Sequence, residues 1–410
     1  MKLKLSYFSK NAKLFLAANF FYSFAMNIYF IFFNLYLLEI GKNEKQIGAI
    51  ASISALSGGI VILLISPYLS SIKQIRALKI SMVGAFLSIL GYTLTSDFEF
   101  FVGLSVLFGA STAFFGTMQI PISMKIVKQS MRKYYFAIST AIFILNGTIA
   151  NGFTGFFPDF LMKHSTFSEI LSYKITLLSV GISFILVFIF LKFIDEPERI
   201  VTEKVPFLKN IKNLPIKKFI IIGLPTFMIG IGAGLMVPLF NVYFKQKLNF
   251  SLIEISIIFM VSQLVMGMFT LITPILTKRF RPVTFIFLTQ ALSLPFILMI
   301  ICTKSIIFVT IAFTLRASFM NMSRPIQMHF EMACFKTEYR AAFSAFKSFF
   351  WNISWAISTL IAGFFQYKKI FDVPLYLTFF LYIVTLLYIF IKFFRKEEQY
   401  LQEVDELAHF

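Results

Sequence analysis

Two arginines, Arg316 and Arg324, interrupt an otherwise apolar stretch near residues 305–332. A guanidinium is a rigid planar fork of donors that fits a carboxylate or phosphate, a geometry lysine does not reproduce. In hydrocarbon it is costly, by about 2.5–3.5 kcal/mol for a central Arg on the insertion scale. On a helix turning about 100° per residue, Arg316, Met320, Ser323, Arg324, Gln327 and Glu331 share one face about 100° wide, with Pro325 bending its lower part. Counted from Ser305, Arg316 lies about 16 Å in at 1.5 Å per residue, close to the middle of a bilayer core. Arg324 falls in the inner third and Glu331 near the end of the stretch. Of 19 acidic residues, only Glu39 and Glu331 sit at the ends of apolar stretches, and none lies at mid-depth. Arg324 and Glu331, seven apart, either pair structurally or line a path. Arg316 has no anionic partner in view and is expected to face a bound solute across a water-filled cavity.

Uncharged polar residues form weaker stripes. Asn19, Ser23, Asn27 and Asn34 share a face of the first apolar stretch; amides there either bond across a helix interface or line a cavity. Asn27 leans toward the cavity. Gln119 and Pro121 interrupt the fourth stretch. Lys347, Trp351, Ser354, Trp355 and Ser358 share a face of the eleventh, which holds both tryptophans of the chain. The two rings suit an aromatic wall beside a cavity or ordinary core packing, and Lys347 is expected to snorkel toward the nearer water. Gly230, Gly234 and Asn241 share a face of the seventh, where small residues permit close helix approach or a hinge.

Other chemistries find no residues. His164, His329 and His409 are far apart, and no cysteine or histidine cluster has zinc spacing. Cys302 and Cys334 fall near opposite ends of one stretch, which argues against a disulfide. The acidic groups Asp97/Glu99 and Asp195/Glu196/Glu198 have no neighbouring histidine, so a membrane-embedded lipid-modifying enzyme is the remote alternative. No cofactor and no metal is expected.

What positions these residues is a set of membrane spans. The chain is 58% hydrophobic and 14% charged, with mean hydropathy +0.81, against about a quarter charged in soluble domains. Runs of about twenty apolar residues suffice to cross a core of about 30 Å. Twelve are expected, near 14–38, 46–70, 77–95, 99–124, 134–158, 172–194, 219–244, 252–277, 283–302, 305–332, 341–365 and 373–394. The fold class is therefore all-α and membrane-spanning. The organisation is a six-helix half over 1–194, a connection over 195–218, a second half over 219–394 and a tail over 395–410. Of the 38 Lys and Arg, 26 fall on the side of the N-terminus and 9 in the opposite loops, placing both termini and the connection in the cytoplasm. The net charge of +19 lies in short loops rather than a basic domain, which excludes nucleic acid as a partner. The basic N-terminus precedes a run with no small-residue cleavage site, so that run reads as an uncleaved first span. Heavy use of Phe, Ile, Lys and Asn suggests an AT-rich prokaryotic genome, and hence an inner (plasma) membrane. A monomer in the lipid bilayer is expected.

A shift of 207 residues superposes Phe33-Asn34-Leu35-Tyr36 on Phe240-Asn241-Val242-Tyr243, and Pro67-Tyr68-Leu69 on Pro274-Ile275-Leu276. The same shift matches Ala110-Ser111 to Ala317-Ser318 and Phe136 to Phe343. Arg316 falls opposite Gly109, so its charge is not common to both halves. Asn34, Pro67, Pro274 and Glu331 are read as gating or structural. Twelve spans, a parallel six-plus-six repeat, cytoplasmic ends and a basic middle connection together resemble the major facilitator superfamily over essentially the whole chain. The loop between the second and third spans, "SPYLSSIKQIRALK", keeps Lys73, Arg76 and Lys79 but lacks the aspartate and glycines of the family pattern. Its mate "TPILTKRFRP" keeps Lys278, Arg279 and Arg281. The fifth span carries Gly147, Gly152 and Gly155 before Pro158, without the Gly-Pro spacing of the family's antiporters. The resemblance implies a secondary transporter moving a small organic solute, anionic or amphipathic, by alternating access, with spans 1, 4, 7 and 10 lining the path. Arg316, Asn27, Gln119, Asn241, Gln327, Arg324, Trp351 and Trp355 are the candidate solute contacts. A coupling proton or ion would fall to Glu39 or Glu331 unless the carrier is a uniporter or exchanger. The alternative is a multidrug or lipid exporter with a hydrophobic, Phe- and Met-rich cavity.

Overall fold

A computed structural model describes residues 8–65, 72–196 and 214–394. The helices are α1 (Lys10–Glu39), α2 (Glu44–Ile65), α3 (Gln74–Leu94), α4 (Phe98–Ile126), α5 (Arg132–His164), α6 (Glu169–Lys192) and α7 (Ile216–Met236). They continue with α8 (Phe240–Gln246), α9 (Leu252–Leu276), α10 (Pro282–Cys302), α11 (Ile306–Met322), α12 (Arg324–Ala333), α13 (Thr337–Tyr367) and α14 (Val373–Ile389). Taking α7 with α8 and α11 with α12 as single spans, twelve stretches among the described residues are long and apolar enough to cross a membrane. Pro67, the middle connection beyond Glu196 and the tail lie outside the described residues.

The helix ends follow from local chemistry. Ser9 accepts a hydrogen bond from the Ala12 amide at 3.2 Å, and Asp97 and Ser168 cap α4 and α6 in the same way. After α1 the chain turns through Gly41 at φ +82°, a left-handed conformation that glycine adopts without a Cβ penalty. The repeat-related turn after α8 uses Asn249 at φ +57°, the residue type that best tolerates the same region.

The chain divides into two compact units. The first holds α1–α6 with Ser251–Met260; the second holds α7, α8, the rest of α9 and α10–α14. The first turns of α9 were expected with the second half. They group instead with α5, where the Thr154 and Ser256 hydroxyls are 3.1 Å apart and Asn151 Nδ2 donates to the Phe259 carbonyl at 3.1 Å. Gly155 permits this approach, since a Cβ there would come within 2.6 Å of Ser256 Cβ.

Each unit repeats one internal plan. In the first, α1 packs on α5 and α6, and α3 on α4 and α6; in the second, α7 packs on α13 and α14, and α10 on α11 and α14. The Asn-x-Tyr repeat works inside that plan. Tyr36 is fully buried and donates to the Tyr92 carbonyl at 2.8 Å; Tyr243 is fully buried and donates to Asp372 Oδ1 at 3.1 Å, where Lys247 pairs with the same carboxylate. Large apolar side chains such as Leu94 and Ile307 stay exposed, as a lipid-facing surface requires.

Candidate functional site

The span carrying both arginines is broken. α11 ends at Met322, Ser323 sits at φ −75°, ψ −17°, and α12 starts at Arg324 with Pro325 in its first turn. Proline has no N–H to continue the ladder and its ring displaces the preceding turn. Thr273 Oγ1 reaches the freed Met322 carbonyl at 3.3 Å. The polar face is continuous only in part: Met320 and Gln327, above and below Ser323, both meet α10, at Ser293 and Gln290, while Arg316 turns to Tyr382 on α14.

Above the break, Arg316 is 4% exposed. Its Nη2 donates to Tyr382 Oη on α14 at 3.4 Å, its Nε has no partner, and no carboxylate lies within ion-pair distance among the described residues. Tyr382 lies against Gly232 of α7, where a Cβ would come within 2.5 Å of the ring. The guanidinium is enclosed among helices rather than open to water.

Below the break is a connected polar network. Glu331 is 2% exposed and ion-paired through Oε2 to Lys347 Nζ at 2.6 Å. Its Oε1 accepts from Thr226 Oγ1 at 2.7 Å and Gln327 Nε2 at 2.9 Å, and Gln290 Nε2 donates to Gln327 Oε1 at 3.3 Å. Three helices, α7, α12 and α13, therefore meet at one carboxylate, and α10 joins through Gln327. Two expectations are corrected. Glu331 pairs with Lys347 rather than Arg324, and Lys347 turns inward to it instead of snorkelling. Thr226 and Lys347 each lie ten residues into their helices, and Glu331 lies two residues from the Ala333 end of its span, where the sequence placed it. Losing one member of such a pair costs about 3–5 kcal/mol, because the other stays buried and uncompensated.

Arg324 stands beside this network but outside it. The residue is exposed, with its guanidinium 5.7 Å from the Trp351 ring centre in cation–π range. Trp351 and Trp355 are half-buried, 5.7 Å apart and tilted by 34°. α13 reaches α7 because Gly230 and Gly234 carry no side chain; a Cβ would meet Ser354 Oγ at 2.3 Å and Ser358 Oγ at 2.1 Å. This close approach is the packing use of the small-residue face.

The other candidates are scattered. Asn27 is half-buried and donates to the Ser23 carbonyl at 2.7 Å within its own helix. Gln119 is half-buried, and Asn34 and Asn241 are buried, the Asn241 Oδ1 accepting from the Val242 amide at 2.9 Å. Pro274 is exposed near the end of α9, and Pro67 lies outside the described residues. Asn19 is buried. Thr226, Gln290 and Asn146 went unnoticed in the sequence. Asn146 Nδ2 donates to Ser23 Oγ and the Phe20 carbonyl, both at 2.8 Å, tying the α1 stripe to α5. A polar side chain within an apolar run was the available signal for all three. Among the described residues no group of three or more His, Cys, Asp or Glu side chains could hold a metal, and both cysteines are free.

Comparison with known proteins agrees with this architecture. The family model described as Major Facilitator Superfamily matches residues 15–359. The solved inward-facing, unoccupied structure of a bacterial homologue of the human lysosomal transporter Spinster is similar at TM-score 0.74 and 12% identity, over 97% of this chain and 99% of that one. The nucleoside transporter NupG is similar at TM-score 0.73 and 12% identity, over 95% and 99%. The D-xylose-proton symporter is similar at TM-score 0.67 and 14% identity, over 92% and 96%. At these identities the likeness is one of fold. No curated protein matches the chain. The chain belongs to the Major Facilitator Superfamily and is a multi-pass membrane transporter, not an enzyme.

Proposed function

We propose that this member of the superfamily carries a small organic anion by alternating access, with the solute's charge met at Arg324 and its apolar body at Trp351 and Trp355. The observation that carries this reading is the exposure of Arg324 within a membrane-length helix. A guanidinium facing lipid within a span is costly, up to about 2.5–3.5 kcal/mol at its centre, so an exposed one with no ion pair among the described residues belongs beside water. The fork then offers two parallel donors to a carboxylate or phosphate, and the tryptophan behind it fixes the plane of the group. Gln327, half-buried one turn away, adds a polar edge.

Glu331 and Lys347 form the coupling element of this reading. With Glu331 ionised, Lys347 is held inward. A proton taken up at Glu331 Oε2 cancels the pair and frees the ammonium toward a bound anion, linking solute charge to proton uptake. Arg316, enclosed against Tyr382, lies outside the solute path in this account. The positive-inside bias supports cytoplasmic termini in a prokaryotic inner membrane. A second reading, export of bulky amphipathic solutes, draws on the tilted tryptophan pair.

Counterflow into proteoliposomes separates the two. Small organic anions should drive exchange in the intact carrier and lose it in Arg324→Gln. Exchange driven by hydrophobic cations, and insensitive to Arg324→Gln, would replace the anion reading by the second.

A further inference from the structure

Well away from the arginine span, a groove of about 380 Å³ opens between the start of α3 and the end of α6, lined by Arg76, Lys79, Ile80, Val83, Phe188 and Lys192. Its two walls are ordered alike. On α3 the cations Arg76 and Lys79 occupy the first two turns, and the exposed apolar residues Ile80, Val83 and Leu87 follow. On α6, which runs to the same end, the exposed Ile185 and Ile189 flank Phe188 and lead to Lys192 in the last turn.

The three cations have no carboxylate partner within ion-pair distance among the described residues. Among the described residues, two acidic groups at this end of the helices accept from other donors. Glu196 accepts from the Ile75 and Arg76 amides at 3.0 and 3.3 Å, capping α3, and Asp195 accepts from Asn11 Nδ2 at 3.3 Å. A cationic rim with no ion pair among the described residues, opening onto an apolar strip, calls for a ligand with the opposite order: an anionic head joined to a long apolar tail.

We propose that this groove is a binding site for an anionic glycerophospholipid. The headgroup phosphate and its added negative charge sit among Arg76, Lys79 and Lys192, and one acyl chain runs along Ile80, Val83 and Phe188. A soluble anion would use the rim but not the floor. A polypeptide or nucleic acid could not follow the floor, because it continues along the lipid-facing sides of two membrane-spanning helices. Basic residues at a membrane surface favour anionic over zwitterionic lipid, and three acting together give a preference of about 10-fold or more.

The test uses the full chain purified in a neutral detergent, with dioleoyl phosphatidylglycerol and dioleoyl phosphatidylcholine as probes. Lipid retention is read by native mass spectrometry and melting temperature by intrinsic fluorescence. The intact protein should retain phosphatidylglycerol about 10-fold better than phosphatidylcholine and melt higher with it. The Arg76→Gln/Lys79→Gln/Lys192→Gln variant should lose that preference, while the Lys163→Gln/Lys174→Gln/Lys304→Gln control, at the other ends of the helices, keeps it. Lys192→Gln alone should lower it in part, which covers a triple variant that fails to fold. Equal retention of both lipids, an unchanged preference in the triple and single variants, or full competition by glycerol phosphate would each overturn the proposal. The last would mean that the rim binds a phosphate with no use for the floor.

Discussion

The two halves of the broken span answer the same electrostatic difficulty in opposite ways. Arg316, above Ser323, is enclosed and meets one tyrosine hydroxyl, with its Nε unmatched. Below the break, Glu331 has every oxygen engaged by three side chains on three helices, and Arg324 is left outside on the surface over an indole ring. A closed, complete network holds helices together. In the proposed reading the exposed cation beside it offers its donors to the solute. In that reading the contrast between the two, rather than burial alone, assigns the solute to Arg324.

The largest effect should come from unbalancing the network. Glu331→Ala leaves the Lys347 ammonium without its partner, and a loss of about 3–5 kcal/mol is expected, read as a large drop in melting temperature in detergent. Glu331→Met with Lys347→Met should recover most of that stability and still transport without response to an imposed pH gradient. A double variant that stays pH-driven separates Glu331 from coupling. Next is Arg324→Lys, which keeps the charge and loses the fork. Solute affinity should fall about 10- to 100-fold, the worth of one charge-assisted hydrogen bond of about 1.5–3 kcal/mol, with melting unchanged. A smaller change belongs to Gly232→Ala, whose Cβ meets the Tyr382 ring at 2.5 Å; overpacking of this kind costs about 1–3 kcal/mol. Smallest of all is Arg316→Met, where removing a poorly matched buried charge should leave stability level or raised and transport within about twofold. Loss of transport in Arg316→Met at normal melting temperature would reverse the roles of the two arginines.

The twelve spans were legible because each needs only a run of apolar residues, and the repeat was legible through one short word, Asn-x-Tyr, at a fixed spacing. Its tyrosines proved to be the anchors, Tyr36 on α3 and Tyr243 on the start of α14. The partner of Glu331 was not legible. Periodicity says which residues of one helix share a face, but not which face of the next helix meets it, so Lys347 on α13 and Thr226 on α7 stayed invisible as partners. The polar face was legible in part: a projection groups Met320 and Gln327, which both meet α10, but cannot show that Arg316 turns to Tyr382 on α14. The grouping of the first turns of α9 with α5 depended on Gly155, whose missing Cβ has meaning only once Ser256 is beside it.

The contrast between the arginines is most directly tested by thiol accessibility. In a chain with Cys302→Ser and Cys334→Ala, Arg324→Cys and Arg316→Cys are each exposed to a water-soluble, membrane-impermeant sulfonate thiol reagent in lipid nanodiscs. Rapid labelling of the residue-324 cysteine, with residue 316 protected, is the predicted result. Rapid, anion-protected labelling at 316 with residue 324 inert would contradict the assignment of the solute path to Arg324.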